Sequence, residues 1–156
     1  MTQKENKSCT PICCEKAIIK VDLLKQIKQF IDNTDDNWNY ITPTELNKLL
    51  PNDKFFLLDI RKKEDYSKAH IKGTTNIFWK DLFKQTNLKK LPCPKHQPDH
   101  HIILICYVGH TASQTLVLLR LLGFNVTVLK FGMGKSPIKT VPVKGWLDFG
   151  YETTMK

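Results

Sequence analysis

Arginine is nearly absent from this chain. Of 24 basic residues only Arg61 and Arg120 are arginines, and the rest are lysines. Base reading and phosphate gripping both rely on the forked guanidinium, so the shortage argues against a nucleic-acid interface. The lysines are scattered, without a long basic run or an aromatic ladder between them. The net charge of +9 is nevertheless uneven. Residues 1–40 balance six lysines against six acids, and residues 41–156 carry 18 basic against 9 acidic groups. That balance suits a small anionic ligand or an acidic partner protein better than nucleic acid. Long apolar runs are missing too. None approaches the roughly 20 residues of a membrane helix, so no membrane partner is expected. The opening Met1-Thr-Gln-Lys-Glu-Asn-Lys-Ser8 is polar with no apolar segment behind it, so no secretory signal is expected. There is no internal repeat and no low-complexity tract. The five cysteines are an odd number and are not spaced as a framework. The expectation is a cytoplasmic protein with reduced thiols, where a cysteine is catalytic or metal-binding sooner than disulfide-bonded.

What is present is an alternation of strand and helix patterns. Residues 1–14, with Cys9, Cys13 and Cys14, lack periodicity and read as a flexible tail. Residues 15–39 read as an amphipathic helix and linker, with Ile19, Leu23, Leu24, Ile27, Phe30 and Ile31 at helical spacing. Trp38 to Ile41 reads as a short first strand. Thr42-Pro43-Thr44-Glu45 is a helix entry: N-cap threonine, proline at the first helical position, glutamate three after the cap. Phe55 to Asp59 is a continuous apolar run ending in an acid, as in a strand covered on both faces. A short helix around Glu64-Asp65-Tyr66 follows, then a turn at Gly73 into another short strand. Trp79 to Leu91 reads as a short helix and loop, Ile102 to Ile105 as a strand, and Thr111 onward as a helix closed by Gly123. Val126 to Leu129 is the next strand, and Phe131 to Lys135 is a loop. Trp146 anchors an otherwise irregular end. Such alternation predicts a parallel α/β sheet flanked by helices over residues 40–150, with 151–156 as a C-terminal tail.

The segment from Ile102 to Arg120 carries the chemistry. An apolar strand ends at Cys106, five residues with one glycine follow, and a helix begins. Open α/β sheets bind ligands at this end of the strands. Loop amides and a helix start aimed at the sulfur favour a thiolate, or an anion attached to it. A plain buried cysteine is the alternative, since free cysteine is among the most buried residue types. The other candidates for metal or redox work are weaker. Cys9-x-x-x-Cys13-Cys14 lacks a nearby histidine to complete a four-ligand set. Cys93 sits between two prolines and could resolve a Cys106 persulfide or be a bystander. His100 and His101 precede a strand and are expected on opposite sides, so no metal and no cofactor is expected.

Three segments together resemble the rhodanese family of sulfurtransferase domains. Leu57-Leu-Asp59-Ile-Arg61-x-x-Glu64-x-Tyr66-x-x-Ala69-His70-Ile71-x-Gly73-x-x-Asn76-Ile77 is similar to its first signature. Cys106-Tyr-Val-Gly-His-Thr111 is similar to its six-residue active loop. Leu122-Gly123-Phe124 with Lys130-x-Gly132 is similar to the segment after the active helix. The resemblance implies a rhodanese-like fold with an extra N-terminal helix. It implies transfer of sulfane sulfur through a Cys106 persulfide, from thiosulfate or a persulfide to a thiol or cyanide. Tyr107, Val108, Gly109, His110 and Thr111 would bind the donor, and Asp59 and Arg61 would support the site. The partners implied are a small anionic sulfur donor and a thiol acceptor, glutathione or a thioredoxin-like protein. Thr111 stands where the family often has arginine, Lys72 where it has proline, and the common tryptophan after Gly132 is missing. Loss of that fixed cation weakens the expectation for thiosulfate, and His110 could lend charge in its place. Two other readings stay open. One is a rhodanese-like module that docks partners without catalysis. The other is a phosphatase of the same architecture, although Ala112 stands where that chemistry needs arginine.

Overall fold

Strand β4, His101–Ile105, organises the molecule. The computed structural model describes residues 23–134 and 144–155. The tail with Cys9, Cys13 and Cys14, the start of the expected first helix and residues 135–143 therefore lie outside the described residues. β4 alternates strictly. Ile102 and Leu104 join one apolar cluster with Leu116 and Leu119, and Ile103 and Ile105 join a second with Leu46 and Trp146. The period-two alternation of a strand puts the two sets on opposite faces, so helices must cover both. β4 pairs in parallel with β2, Phe55–Asp59, and with β5, Val126–Leu129. The short strands β1, Tyr40–Ile41, and β3, Thr75–Asn76, complete a five-stranded sheet of order β1-β5-β4-β2-β3. All four pairings are parallel.

Helix α1 is Leu23–Asp32. Its Phe30 packs on the first cluster, but Leu24 and Ile31 stay exposed, so only part of the expected apolar stripe is covered. α2, Pro43–Leu49, starts as its sequence signals. The Thr42 hydroxyl accepts from the Glu45 amide, and the Glu45 carboxylate accepts from the Thr42 amide. α3 is Lys63–Lys68, and the helix-and-loop stretch after Trp79 resolves into α4, Trp79–Leu82, and α5, Gln85–Leu88. α6, His110–Leu121, covers the sheet face that holds Leu104. Its end is closed by Gly123 at φ 87°, with Gly123 N–H on the Arg120 carbonyl and Phe124 N–H on Leu119. A 3-10 helix, Trp146–Phe149, seats Trp146 in the opposite cluster.

One element is shorter than its sequence suggests. Trp38 and Asn39, expected to open the first strand, have φ of 57° and 58°. Left-handed residues cannot extend a ladder. The Asp35 carboxylate fixes the turn by accepting from the Asn39 amide at 2.7 Å. β1 therefore begins only at Tyr40.

Candidate active site

Cys106 follows β4 directly and keeps the phase of Ile102 and Leu104. Its side chain therefore turns toward α6, beneath that helix's first turn. It is buried, at 3% exposure, against Ala112 and Leu116. Gly109 caps α6 with φ 96°, and its N–H donates to Cys106 Sγ at 3.1 Å. The amides of Ala112, Val108 and Thr111 also act on the sulfur. A glycine at 109 allows the left-handed step that folds the chain back over Sγ. Four converging N–H groups and the start of a three-turn helix make an anion cradle.

The thiol itself does not ionise easily. Burial pushes the Cys106 pKa above the usual thiol value, and the amides of Ala112, Gly109, Val108 and Thr111 pull it back only in part. Burial thus opposes the thiolate that the loop amides and the helix start favour. A raised pKa means the neutral thiol dominates at neutral pH. Alkylation of Cys106 by iodoacetamide, read by peptide mapping, should therefore still be climbing with pH at 9.0. A plateau below pH 8 would contradict this balance.

The remaining loop residues divide. Tyr107 is half-buried, and its hydroxyl donates to Asp65 of α3 at 2.5 Å. Val108 and Thr111 are half-buried and contribute amides, whereas His110 is exposed as the first residue of α6. The loop is backed by the segment after β5. Met133 N–H donates to the Cys106 carbonyl and Gly134 N–H to the Tyr107 carbonyl, each at 2.9 Å. These bonds turn both carbonyls outward and leave the loop amides free for the sulfur. On the other flank Ser113 Oγ donates to the Gly109 carbonyl at 2.8 Å and shares a 2.6 Å bond with Tyr40 Oη. Neither this strap, nor the Tyr40–Ser113 pair, nor Asp65 was singled out from sequence. The glycines at 132 and 134 were its only trace.

Asp59 and Arg61 form a buried ion pair beside the site. Arg61 Nη2 and Nε reach the Asp59 carboxylate at 2.7 and 3.0 Å, and Nη2 also donates to the Ala69 carbonyl. Asn76 Nδ2 donates to the carbonyls of Asp59 and Arg61. His70 is buried and stacked on Tyr66, with Nδ1 on the Tyr66 carbonyl and Nε2 on Thr154 Oγ1. The first sequence signature is therefore a hydrogen-bonded corner next to the Cys106 loop. Arg120, the other arginine, donates to the Val126 carbonyl and to Asn39 Oδ1. Both arginines of the chain are thus engaged by other partners. Cys93 is disulfide-bonded, against the expectation of reduced thiols, and Cys106 is the free cysteine among the described residues. A disulfide sulfur has no thiol to resolve a persulfide. Among the described residues no group of three or more His, Cys, Asp or Glu could hold a metal, and no helix is long and apolar enough to cross a membrane.

Comparison with known proteins follows the same lines. No curated protein sequence matches. A rhodanese-related protein from Thermoplasma volcanium aligns at 20% identity over 76% of this chain and 100% of its own, with a TM-score of 0.58. A thiosulfate sulfurtransferase from Pseudomonas aeruginosa aligns at 21% identity over 75% of this chain but 19% of its own, with a TM-score of 0.57. A Rhodopseudomonas palustris protein of unknown function, described as a possible tyrosine phosphatase, aligns at 14% identity over 90% of this chain and 100% of its own, with a TM-score of 0.58. These likenesses concern the fold. The family model of the rhodanese-like domain matches residues 42–135, which is most of the chain. By that match, and with Cys106 and its loop set between β4 and α6, the chain belongs to the rhodanese-like domain family.

Proposed function

We propose that the protein is a sulfurtransferase that carries sulfane sulfur as a persulfide on Cys106. The observation that supports this reading is the set of backbone N–H groups around Sγ, with both arginines of the chain engaged elsewhere. The Cys106 thiolate would attack the outer sulfur of a donor, and the donor's remainder would leave with the bonding pair. For thiosulfate the leaving group is sulfite. The terminal sulfur of the new persulfide then carries the negative charge within reach of the loop amides, which act as an oxyanion hole does. An acceptor thiolate attacks that terminal sulfur, and Cys106 thiolate leaves, in a ping-pong scheme. A persulfide is a stronger acid than a thiol, so the cradle holds the loaded form more readily than the empty thiolate. Asp59 and Arg61 support the corner beside the loop, and Val108, Gly109 and Thr111 bind through their amides. Tyr107 and His110 are rim residues. We assign the donor as a small anion or a persulfide, and the acceptor as glutathione or a thioredoxin-like protein. A thiol-rich compartment, the cytoplasm, suits that acceptor.

The test is turnover with thiosulfate and with a low-molecular-weight persulfide, using glutathione as acceptor. Double-reciprocal plots should be parallel, and Cys106→Ser should be inactive with both donors. Activity surviving in Cys106→Ser would reject the assignment. The buried, weakly acidic thiol favours one competing reading, a docking module without catalysis, which predicts no turnover with either donor. An aryl phosphate assayed in parallel should not be hydrolysed, because Ala112 supplies no guanidinium for the transferred phosphoryl.

A further inference from the structure

The loop's first residue after the cysteine is tied to a helix from a different part of the chain. Tyr107 Oη donates to Asp65 Oδ2 at 2.5 Å, across 42 residues of sequence. The backbone N–H of Lys62 acts on the same phenol oxygen, and the Arg61 guanidinium lies 5.8 Å from the ring centroid. Tyr107 is thus gripped at its tip and over its face by residues 61–65. From this geometry we infer that Asp65 is a positioning residue for sulfur transfer, a latch that acts through Tyr107 to keep the loop closed on Cys106. The inference rests on the sulfurtransferase reading for its consequence, but not for its geometry.

The protonation states keep the latch fastened. Burial and the neighbouring Asp65 push the Tyr107 phenol up to about 12, so it remains a donor. The Tyr107 bond pulls the Asp65 carboxyl down, so it remains an acceptor. The charged groups facing the pair are Lys68, 3.4 Å from Asp65, and Arg61. Burial is the largest influence on the Cys106 thiol, ahead of the amides. Opening the loop therefore makes the sulfur easier to reach and to ionise while scattering the amides that would hold a persulfide. Greater reactivity with poorer sulfur loading is a pairing that simple loss of an ion pair does not produce.

The experiment uses the full chain and Asp65→Ala, Tyr107→Phe and the combined variant, with melting curves to establish folding. Iodoacetamide alkylation of Cys106 at neutral pH should rise at least about threefold in each single variant. The combined variant should exceed neither, because both remove one bond. Asp65→Asn, which keeps an acceptor oxygen, should restore most of the protection, and Lys68→Ala should alkylate like the parent. Sulfur loading of Cys106 from a persulfide donor should fall in Asp65→Ala. Unchanged alkylation in a folded Asp65→Ala, additive effects in the combined variant, or wild-type loading in Asp65→Ala would overturn the latch. If the parent protein itself takes up no sulfur, the sulfurtransferase reading fails, and the alkylation rates alone decide the latch.

Discussion

Gly132→Ala should reduce sulfur loading of Cys106 by about a hundredfold or more, on the scale that misplacing a reacting group by an ångström costs. A methyl at 132 would overlap the Cys106 carbonyl oxygen and lie 2.9 Å from the carbonyl carbons of Cys106 and Tyr107. Those atoms belong to the peptides that orient the loop amides. Neighbouring backbone is the part that must move, since Met133 and Gly134 bond to the same two carbonyls. The φ of 54° adds left-handed strain of about 1–2 kcal/mol for a residue with a Cβ. Gly150→Ala separates the two effects. Gly150 has φ 71° but open space around its would-be Cβ. It should lose only the strain part of the stability, about 1–2 kcal/mol, and keep wild-type loading. Equal losses of loading in both variants would mean that strain, not the strap behind the loop, sets activity.

The second large effect concerns stability. Arg61→Met should destabilise the fold by about 3–5 kcal/mol, the usual consequence of leaving one member of a buried ion pair alone. Asp59 is fully buried and has Arg61 as its charge partner, in fork geometry, with 5% of the arginine side chain exposed. The substitution also strips a donor from the Ala69 carbonyl. For a chain of this length the melting temperature should fall by roughly 10 °C or more. Asp59→Leu with Arg61→Met should recover part of the loss, because a matched apolar pair leaves no buried charge. Equilibrium urea unfolding measures all three. A loss under about 1 kcal/mol for Arg61→Met would place the pair with exposed salt bridges, which contribute little.

The sheet and its flanking helices were legible because their signals are local. β4 and β2 are each built on a four-residue apolar run, and α2 and α6 carry a cap box and a closing glycine that need no distant partner. The position of Cys106 at a strand end was legible for the same reason, as was the short supply of arginine. The family resemblance implied a supporting role for Asp59 and Arg61, and the structure adds that the two pair with each other in forked geometry. What escaped depended on contacts across the chain. The Trp38–Asn39 turn looks like strand until Asp35 is seen capping it. Tyr107 was legible as a residue of the loop, but not that its hydroxyl reaches Asp65. The backing of the loop by Met133 and Gly134 runs through main-chain bonds, which side-chain identity does not announce. For Cys106, helix-start stabilisation can be read from spacing, whereas the opposing effect of burial is a property of the packed whole.

Peptide mass mapping of Cys106 after exposure to a sulfane donor tests the central claim most directly. The protein is reduced, incubated with thiosulfate or a low-molecular-weight persulfide, quenched with an alkylating agent and digested. The peptide holding Cys106 should gain about 32 Da beyond the alkyl mass, one sulfur atom, and glutathione added before the quench should abolish the gain. Cys106→Ser should show no gain on that peptide. Sulfur found only on Cys9, Cys13, Cys14 or Cys93, with Cys106 unmodified, would contradict the assignment.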